Sequence, residues 1–130
     1  MAALGLCIEK NLELAVLRPF HVYGEGEAPY RFWPQLKKAA RNGDDFPMTE
    51  GLQIRDFVSV EQVARSFLKA IERTDLQPGE PVIENLGSGI PRTLLEFASS
   101  EWERLKAAGR LVPNAIPLRE NEVMRYVPEI

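Results

Sequence analysis

The sequence has one cysteine, Cys7, and one histidine, His21, among its 130 residues. A single cysteine cannot form an internal disulfide bond, which is typical of proteins in a reducing compartment, so we expect a cytoplasmic location. No group of residues has the spacing of a metal site, and no Ser-His-Asp arrangement of a hydrolase stands out. The sequence therefore predicts neither a metal ion nor that type of nucleophilic catalysis.

Long apolar runs and basic clusters are also missing. No apolar stretch reaches the roughly 20 residues that a membrane-spanning helix needs. The first residues carry no positive charge of the kind that opens a signal peptide. The net charge is −3, from 16 Lys and Arg against 19 Asp and Glu. These absences disfavour both a membrane and a nucleic acid as partners.

The most informative stretch that is present reads LRPFHVYG, at residues 17–24. It continues an apolar segment, residues 12–17, that is typical of a buried parallel strand. Proline lacks the hydrogen-bond donor that a central strand needs, so we expect the strand to end before Pro19 and a loop to cover residues 19–29. Ligands of open α/β sheets bind just outside the carboxyl ends of strands, which makes this loop a candidate binding site.

Strands and helices alternate along the chain. Ser59 with Gln62, and Thr93 with Glu96, form capping-box patterns that predict two helix starts. The expected helices are residues 2–10, residues 31–41 and the two that follow these caps, and the expected strands are residues 12–17, 53–58, 82–86 and 116–118. The alternation predicts an α/β class with no interdomain linker.

Four segments in order resemble the second half of the extended short-chain dehydrogenase/reductase family, specifically the NAD-dependent epimerases and dehydratases of nucleotide-sugars. They are LRPFHVYG at residues 17–24, RDFVSVEQVA at 55–64, ENLGSG at 84–89 and RENEV at 119–123. The resemblance runs from about Ala2 to Pro128. It implies the C-terminal part of a Rossmann-like doubly wound sheet together with the small substrate-binding domain.

Two motifs of that family are missing from the sequence. Members open with a strand and a G-x-x-G-x-x-G loop that holds the dinucleotide pyrophosphate at a helix N-terminus, whereas the GEG at residues 24–26 leads into a proline-containing loop. None of the three tyrosines has a lysine four residues later, as the family's catalytic Tyr-x-x-x-Lys requires. The resemblance thus implies a single substrate-binding unit over residues 1–130, without the dinucleotide-binding half, without catalytic residues and inactive alone.

The family uses NAD or NADP as its cofactor. The resemblance places Pro19, Phe20 and Val22 near the nicotinamide ring, as an apolar wall. Because the pyrophosphate loop is absent, we expect this chain alone to bind no cofactor. Tyr23 and Phe32 are assigned to packing.

Three side chains are candidates for substrate binding. The resemblance implies that Arg55 and Arg119 bind the diphosphate of a nucleotide-sugar, because a guanidinium can hold phosphate oxygens through paired hydrogen bonds. It also implies that His21 faces the sugar or its phosphate. Structural alternatives stay open. Arg55 pairs with Asp56 or caps a helix, Arg119 is a solvated surface charge, and the His21 ring bonds to the loop backbone.

The function that the resemblance implies is the substrate-side portion of a nucleotide-sugar epimerase or dehydratase. The alternatives are a non-catalytic binding or oligomerisation module, and an inactive truncated gene product. The expected partners are a nucleotide-sugar and either a second copy of the chain or the missing N-terminal half. Epimerases, dehydratases and reductases share these motifs, so the reaction, the nucleotide and the sugar stay open.

Overall fold

The computed structural model describes residues 2–130 and has the α/β architecture that the sequence predicts. Within that part of the chain four helices are present: α1 Ala2–Lys10, α2 Phe32–Asn42, α3 Val60–Ile71 and α4 Leu94–Arg104. The strands are β1 Ala15–Pro19, β2 His21–Tyr23, β3 Phe46–Pro47, β4 Ile54–Arg55, β5 Phe57–Ser59, β6 Val82–Leu86, β7 Arg92–Thr93, β8 Leu111–Val112 and β9 Arg125–Tyr126.

Most strands pair in parallel. β1 pairs with β6, β2 with β5, and β3 with β8. β4 lies in the middle of a three-stranded sheet, antiparallel to β7 and parallel to β9. Parallel pairs need long crossover connections, so the helices that separate these strands in sequence follow from the pairing.

The helix ends follow the capping signals of the sequence. The Ser59 side chain accepts a hydrogen bond from the Gln62 amide at the start of α3. Thr93 and Glu96 form a complete capping box at the start of α4. Helix α2 ends at Gly43, whose φ of 73° is in the left-handed region that glycine adopts most easily.

Two small groups of buried side chains hold the elements together. Leu36, Phe46, Met48 and Ala98 pack between α2, α4 and β3. Trp33, Phe57 and Phe97 form the second group, against which Tyr23 and Phe32 are also packed. Helix α2 contributes to both groups, so it links the region around β3 to the region around β5.

The first strand and the loop after it differ from the prediction. β1 extends to Pro19 rather than ending before it, and Pro19 lies opposite Leu86 of β6. A proline is tolerated at this place because the Phe20 amide, and not Pro19, donates to the Leu86 carbonyl. Residues 21–23, predicted to be loop, form β2 because they pair with β5.

Two other predicted strands were wrong. Residues 53–58 form two strands rather than one, because the pairing is interrupted at Asp56 and the segments on its two sides pair with different neighbours. Residues 116–118 form no strand. The amides of Ala115 and Ile116 donate to the Met48 carbonyl instead, and Pro117 has no amide to donate.

Two helices, α1 and α3, expose apolar side chains. None of the residues of α3 is buried, and its Phe67, Leu68 and Ile71 are 46%, 62% and 80% exposed. On α1, Leu6 and Ile8 are exposed as well. An amphipathic helix normally buries its apolar side, so these residues form a surface suited to contact with another protein segment.

Candidate functional site

One cavity, called the main cavity below, has a volume of about 670 Å³, within the range of small-molecule binding sites. It lies among β2, the start of α2, β3, β4 and the segment around residues 116–122. Its wall combines aromatic side chains with three arginines and two glutamates. These are Tyr23, Tyr30, Phe32, Trp33, Phe46 and Phe97, with Arg31, Arg55, Arg119, Glu27 and Glu122.

Aromatic contacts link three residues of this wall, Tyr23, Phe97 and His21, to one another through Phe57. The rings of Phe57 and Phe97 lie parallel, with centroids 4.0 Å apart. Tyr23 meets Phe97 edge-on at 4.8 Å, and His21 meets Phe57 in the same way at 4.9 Å. Such pairs are worth roughly 0.5–1.5 kcal/mol beyond their buried area. Tyr23, assigned to packing from the sequence, therefore packs and lines the cavity as well.

Arg55 is held in a defined position at the cavity wall. Its guanidinium donates through Nη1 to the Ile54 carbonyl at 2.9 Å and through Nη2 to Glu122 Oε1 at 3.2 Å. The two side chains are only 14% and 19% exposed. The local pair with Asp56, one of the alternatives from the sequence, is replaced by this pair with Glu122. A partly buried, oriented guanidinium is well suited to bind an anion.

Asp56 points the other way and fixes a glycine-rich turn. Its carboxylate accepts hydrogen bonds from the Ser88 amide at 2.7 Å, the Ser88 hydroxyl at 2.6 Å and the Gly89 amide at 2.9 Å. Gly87 lies so close that a Cβ there would be 2.5 Å from Asp56 Oδ2. The buried Asp56 carboxylate thus joins two segments that the sequence singled out, residues 55–64 and residues 84–89.

His21 lines both the main cavity and the second one. Burial, together with the nearby positive charges of Arg31 and Arg55, lowers the pKa of His21 from its ordinary 6.5 to about 4. The imidazole is therefore neutral near pH 7, with one nitrogen as donor and the other as acceptor. The hydrogen bond to the loop backbone that the sequence left open is not formed among residues 2–130.

The other charged candidates are less constrained. Arg119 lines the same cavity as Arg55 but is exposed. Arg31, which the sequence did not single out, pairs with Glu27 at 3.1 Å. Arg31 and Arg119 both line the cavity. The cavity wall thus includes all three residues that the sequence indicated for substrate binding, namely Arg55, Arg119 and His21.

The second cavity, of about 370 Å³, lies at the carboxyl ends of β1 and β6. Its lining consists of Arg18, Pro19, Phe20, His21, Asn85 and Tyr126. The Phe20 and Tyr126 rings are stacked, with centroids 5.2 Å apart. Pro19 and Phe20, two residues assigned to the nicotinamide side, thus share this cavity. The third, Val22, lies in β2 opposite Val58 and lines neither cavity.

Sequence reasoning missed Glu122 and Tyr126. Both belong to the segment near β9, which meets β4 only in three dimensions. It also missed Gln53, which is buried and hydrogen-bonded to Thr49 in the cavity wall. Glu122 does lie in the RENEV segment at residues 119–123, which could have drawn attention to it, but nothing local in the sequence pointed to Gln53 or Tyr126.

Two further observations concern residues 2–130 only. No helix in this part of the chain is long and apolar enough to cross a membrane. The described side chains include no cluster of three or more His, Cys, Asp or Glu that could hold a metal ion.

Comparison with known proteins matches the chain to one protein family and to several individual relatives. Residues 3–87 match the NAD dependent epimerase/dehydratase family. The chain is 34% identical over 110 residues to ADP-L-glycero-D-manno-heptose-6-epimerase of Pseudomonas paraeruginosa. It is 27% identical over 108 residues to CDP-abequose synthase of Salmonella muenchen. Its fold matches the structure of MoeE5 in complex with UDP-glucuronic acid and NAD, with a TM-score of 0.70 and 25% identity.

These matches cover most of this chain and a minor part of each relative. They cover 75%, 83% and 90% of this chain, respectively, but only 32%, 36% and 38% of the relatives' own lengths. The chain therefore spans about a third of the length of these relatives.

Proposed function

The chain belongs to the NAD dependent epimerase/dehydratase family, and from this premise we propose that it binds the nucleotide diphosphate of a sugar nucleotide. In this proposal it is the substrate-side portion of such an enzyme, comprising residues 1–130 as one unit. Arg55 and Arg119 bind the diphosphate, and His21 faces the sugar or its phosphate.

The observation that carries the proposal is the position of Arg55. It is the one guanidinium that is both in the wall of the 670 Å³ cavity and fixed by two hydrogen bonds. Three arginines against two glutamates leave the wall positive, and the aromatic side chains suit a flat base or a sugar ring. The names of two relatives contain a CDP-linked and an ADP-linked sugar, and the third relative is in complex with UDP-glucuronic acid, which supports the same ligand class.

For the cofactor, we propose only that this chain contacts the nicotinamide end of a dinucleotide. NAD is present in the structure of the relative MoeE5. Pro19 and Phe20, with Tyr126 stacked on Phe20, offer an apolar wall for a nicotinamide ring. A cavity of about 370 Å³ suits such a ring and not a whole dinucleotide. We therefore expect the remainder of NAD or NADP to be held by residues outside this sequence, and no turnover by this chain alone.

Calorimetry of the 130-residue chain with UDP-, dTDP-, GDP- and CDP-sugars tests the proposal. We expect one of them to bind and Arg55→Ala to weaken binding about 10- to 100-fold. This is the range for loss of a charge-assisted hydrogen bond of roughly 1.5–3 kcal/mol. Glu122→Gln keeps the Arg55 charge but weakens its orientation, so a smaller loss is expected.

Arg65→Ala is the matched control, because Arg65 is an exposed arginine on α3 outside the cavity. Its removal changes the net charge by the same amount and should leave the affinity unchanged. Two outcomes contradict the proposal: no heat at millimolar concentration of any of the four ligands, or equal affinity of Arg55→Ala and the unmutated chain.

The uncovered apolar surface favours a second candidate function, that of an association module. Phe67, Leu68 and Ile71 on α3 are exposed together with Leu6 and Ile8 on α1. β1 has one paired neighbour within residues 2–130, so its other edge has free backbone groups. A second copy of the chain could cover both the exposed apolar side chains and the free edge of β1. Such association is compatible with binding of a nucleotide-sugar in the main cavity.

A further inference from the structure

His21 lies where the two cavities meet, and its ring nitrogens are open to them. The ring lines both cavities and is fixed edge-on against Phe57. Neither ring nitrogen of His21 forms a hydrogen bond within residues 2–130. Among the described residues, Trp33 Nε1 is the buried side-chain nitrogen or oxygen that lacks a hydrogen-bond partner, and the His21 nitrogens are not in that class. The nitrogens of His21 are therefore accessible from the cavities, and a ligand can reach them.

The surroundings of His21 are mostly cationic. Charged groups near the ring or in its cavities are Arg31 with Glu27, Arg55 with Glu122, Arg92 beside Phe57, Arg119 in the main cavity and Arg18 in the second cavity. The tyrosines that line the cavities are Tyr23 and Tyr30 in the main one and Tyr126 in the second. Five arginines thus stand against two glutamates, and each glutamate is already paired with an arginine. An additional proton on His21 is unfavourable for as long as no anion is present.

An anion in the main cavity reverses this balance. Burial, Arg31 and Arg55 keep the pKa of free His21 at about 4. A diphosphate offsets the charges of the arginines and offers acceptor oxygens to N–H groups. Both effects favour the charged imidazolium and raise its pKa. The neutral ring can donate one hydrogen bond, whereas the imidazolium can donate two.

We infer that His21 takes up a proton from solution when a nucleotide diphosphate binds, and that the imidazolium then donates to a phosphate oxygen. This inference rests on the proposed function, because it needs the diphosphate in the main cavity. The proton adds to the lone pair of the unprotonated ring nitrogen, and no covalent bond of the ligand changes. The site would thus be selective for a ligand whose negative charge lies at the junction of the two cavities.

The direction of the pH dependence follows from linkage. The complex holds more protons than the free chain, so affinity rises as the pH falls. The rise begins near the pKa of His21 in the complex and ends near its value of about 4 in the free chain. Between these limits the affinity should increase by up to about tenfold per pH unit, the limit for one coupled proton.

His21 is the only histidine in the sequence, so its ring gives an unambiguous nitrogen NMR signal. We expect the free chain to show a neutral imidazole throughout pH 8 to 5.5. With a saturating UDP-sugar, or whichever sugar nucleotide binds, the signal should move to the imidazolium pattern as the pH is lowered. Sugar nucleotides are diphosphate diesters with no titrating proton in this range. Calorimetry in two phosphate-free buffers of different ionisation enthalpy should show a net uptake that grows towards one proton.

His21→Asn separates proton uptake from hydrogen bonding, because the amide can donate to a phosphate but cannot titrate. We expect this variant to bind with no proton uptake and with a flat pH profile. Binding without proton uptake by the unmutated chain, or an unchanged pH profile in His21→Asn, overturns the inference and leaves the proposed function intact. No binding of any sugar nucleotide overturns both.

Discussion

Asp56 shows how one buried side chain ties the candidate site to the sheet. It lies between β4, which carries Arg55, and β5, which carries Phe57. Its carboxylate accepts three hydrogen bonds from Ser88 and Gly89, which follow β6. A buried carboxylate is costly unless its oxygens are satisfied, so these donors and Asp56 depend on each other.

Replacement of Asp56 should therefore destabilise the fold more than replacement of an exposed aspartate. Asp56→Asn replaces one acceptor oxygen by an NH₂ group that faces a backbone or hydroxyl donor. We expect a loss of roughly 1.5–3 kcal/mol in the free energy of unfolding, measured in urea. Asp75→Asn is the control, since Asp75 pairs with Arg73 at the surface, where solvent weakens the interaction, and its replacement should cost much less. Equal losses in the two variants would show that the three hydrogen bonds contribute little.

At the scale of elements, the sequence predicted the longer pieces well. The four helices and β6 have strong local signals, since apolar spacing and capping residues such as Ser59 and Thr93 lie within the element itself. The two-residue strands β4, β7, β8 and β9 have too few residues for a periodic pattern. Their positions depend on pairing with distant segments, as in the pairing of Ile54 with Arg125.

In the candidate site, too, features with a local sequence signal were predicted, whereas contacts between distant segments were not. Arg55, Arg119 and His21 were found because they lie in segments that resemble a family, and the structure brings all three to one cavity. The pairing of Arg55 with Glu122 joins residues 67 positions apart and has no local signature. Local sequence could therefore indicate which side chains line the cavity but not which side chains orient them.

The turn between β3 and β4 offers a test of packing at this scale. Gly51 and Gly43 have nearly the same left-handed φ, 75° and 73°. A Cβ at Gly51 would lie 2.8 Å from Leu95 Cβ, whereas a Cβ at Gly43 would meet nothing within 4 Å. Both alanine variants share a backbone cost of about 1–2 kcal/mol.

We expect Gly51→Ala to lose a further 1–3 kcal/mol or so, because α4 must shift to make room. The difference between the two free energies of unfolding measures this packing cost directly. Losses that agree within error would mean that Leu95 and α4 adjust without strain.

At the scale of the whole molecule, the apolar surface of α1 and α3 predicts association with a second copy. We expect dimers or larger species in light scattering across a dilution series. Leu68→Lys, which places a charge on α3, should shift the chain towards the monomer. Ile90→Lys is the matched control, because Ile90 is similarly exposed, at 66% against 62%, but belongs to the loop between β6 and β7 and not to α1 or α3.

A clean monomer at high micromolar concentration, with slow hydrogen exchange along residues 12–17, would contradict this prediction. It would mean that the chain covers the free edge of β1 without a partner. Equal effects of Leu68→Lys and Ile90→Lys would place the contact elsewhere on the surface.

The central position of β4 also determines when the cavity can form during synthesis. Its neighbours β7 and β9 leave the ribosome well after β4 itself, and Glu122 follows Arg55 by 67 residues. At about 5–20 residues per second, Arg55 spends roughly 3–13 s without the carboxylate that orients it. A nascent chain stalled before residue 122 could already have its four helices and β6 but would lack the carboxylate that orients Arg55. The orientation of Arg55 thus depends on a segment that is synthesised after all four helices.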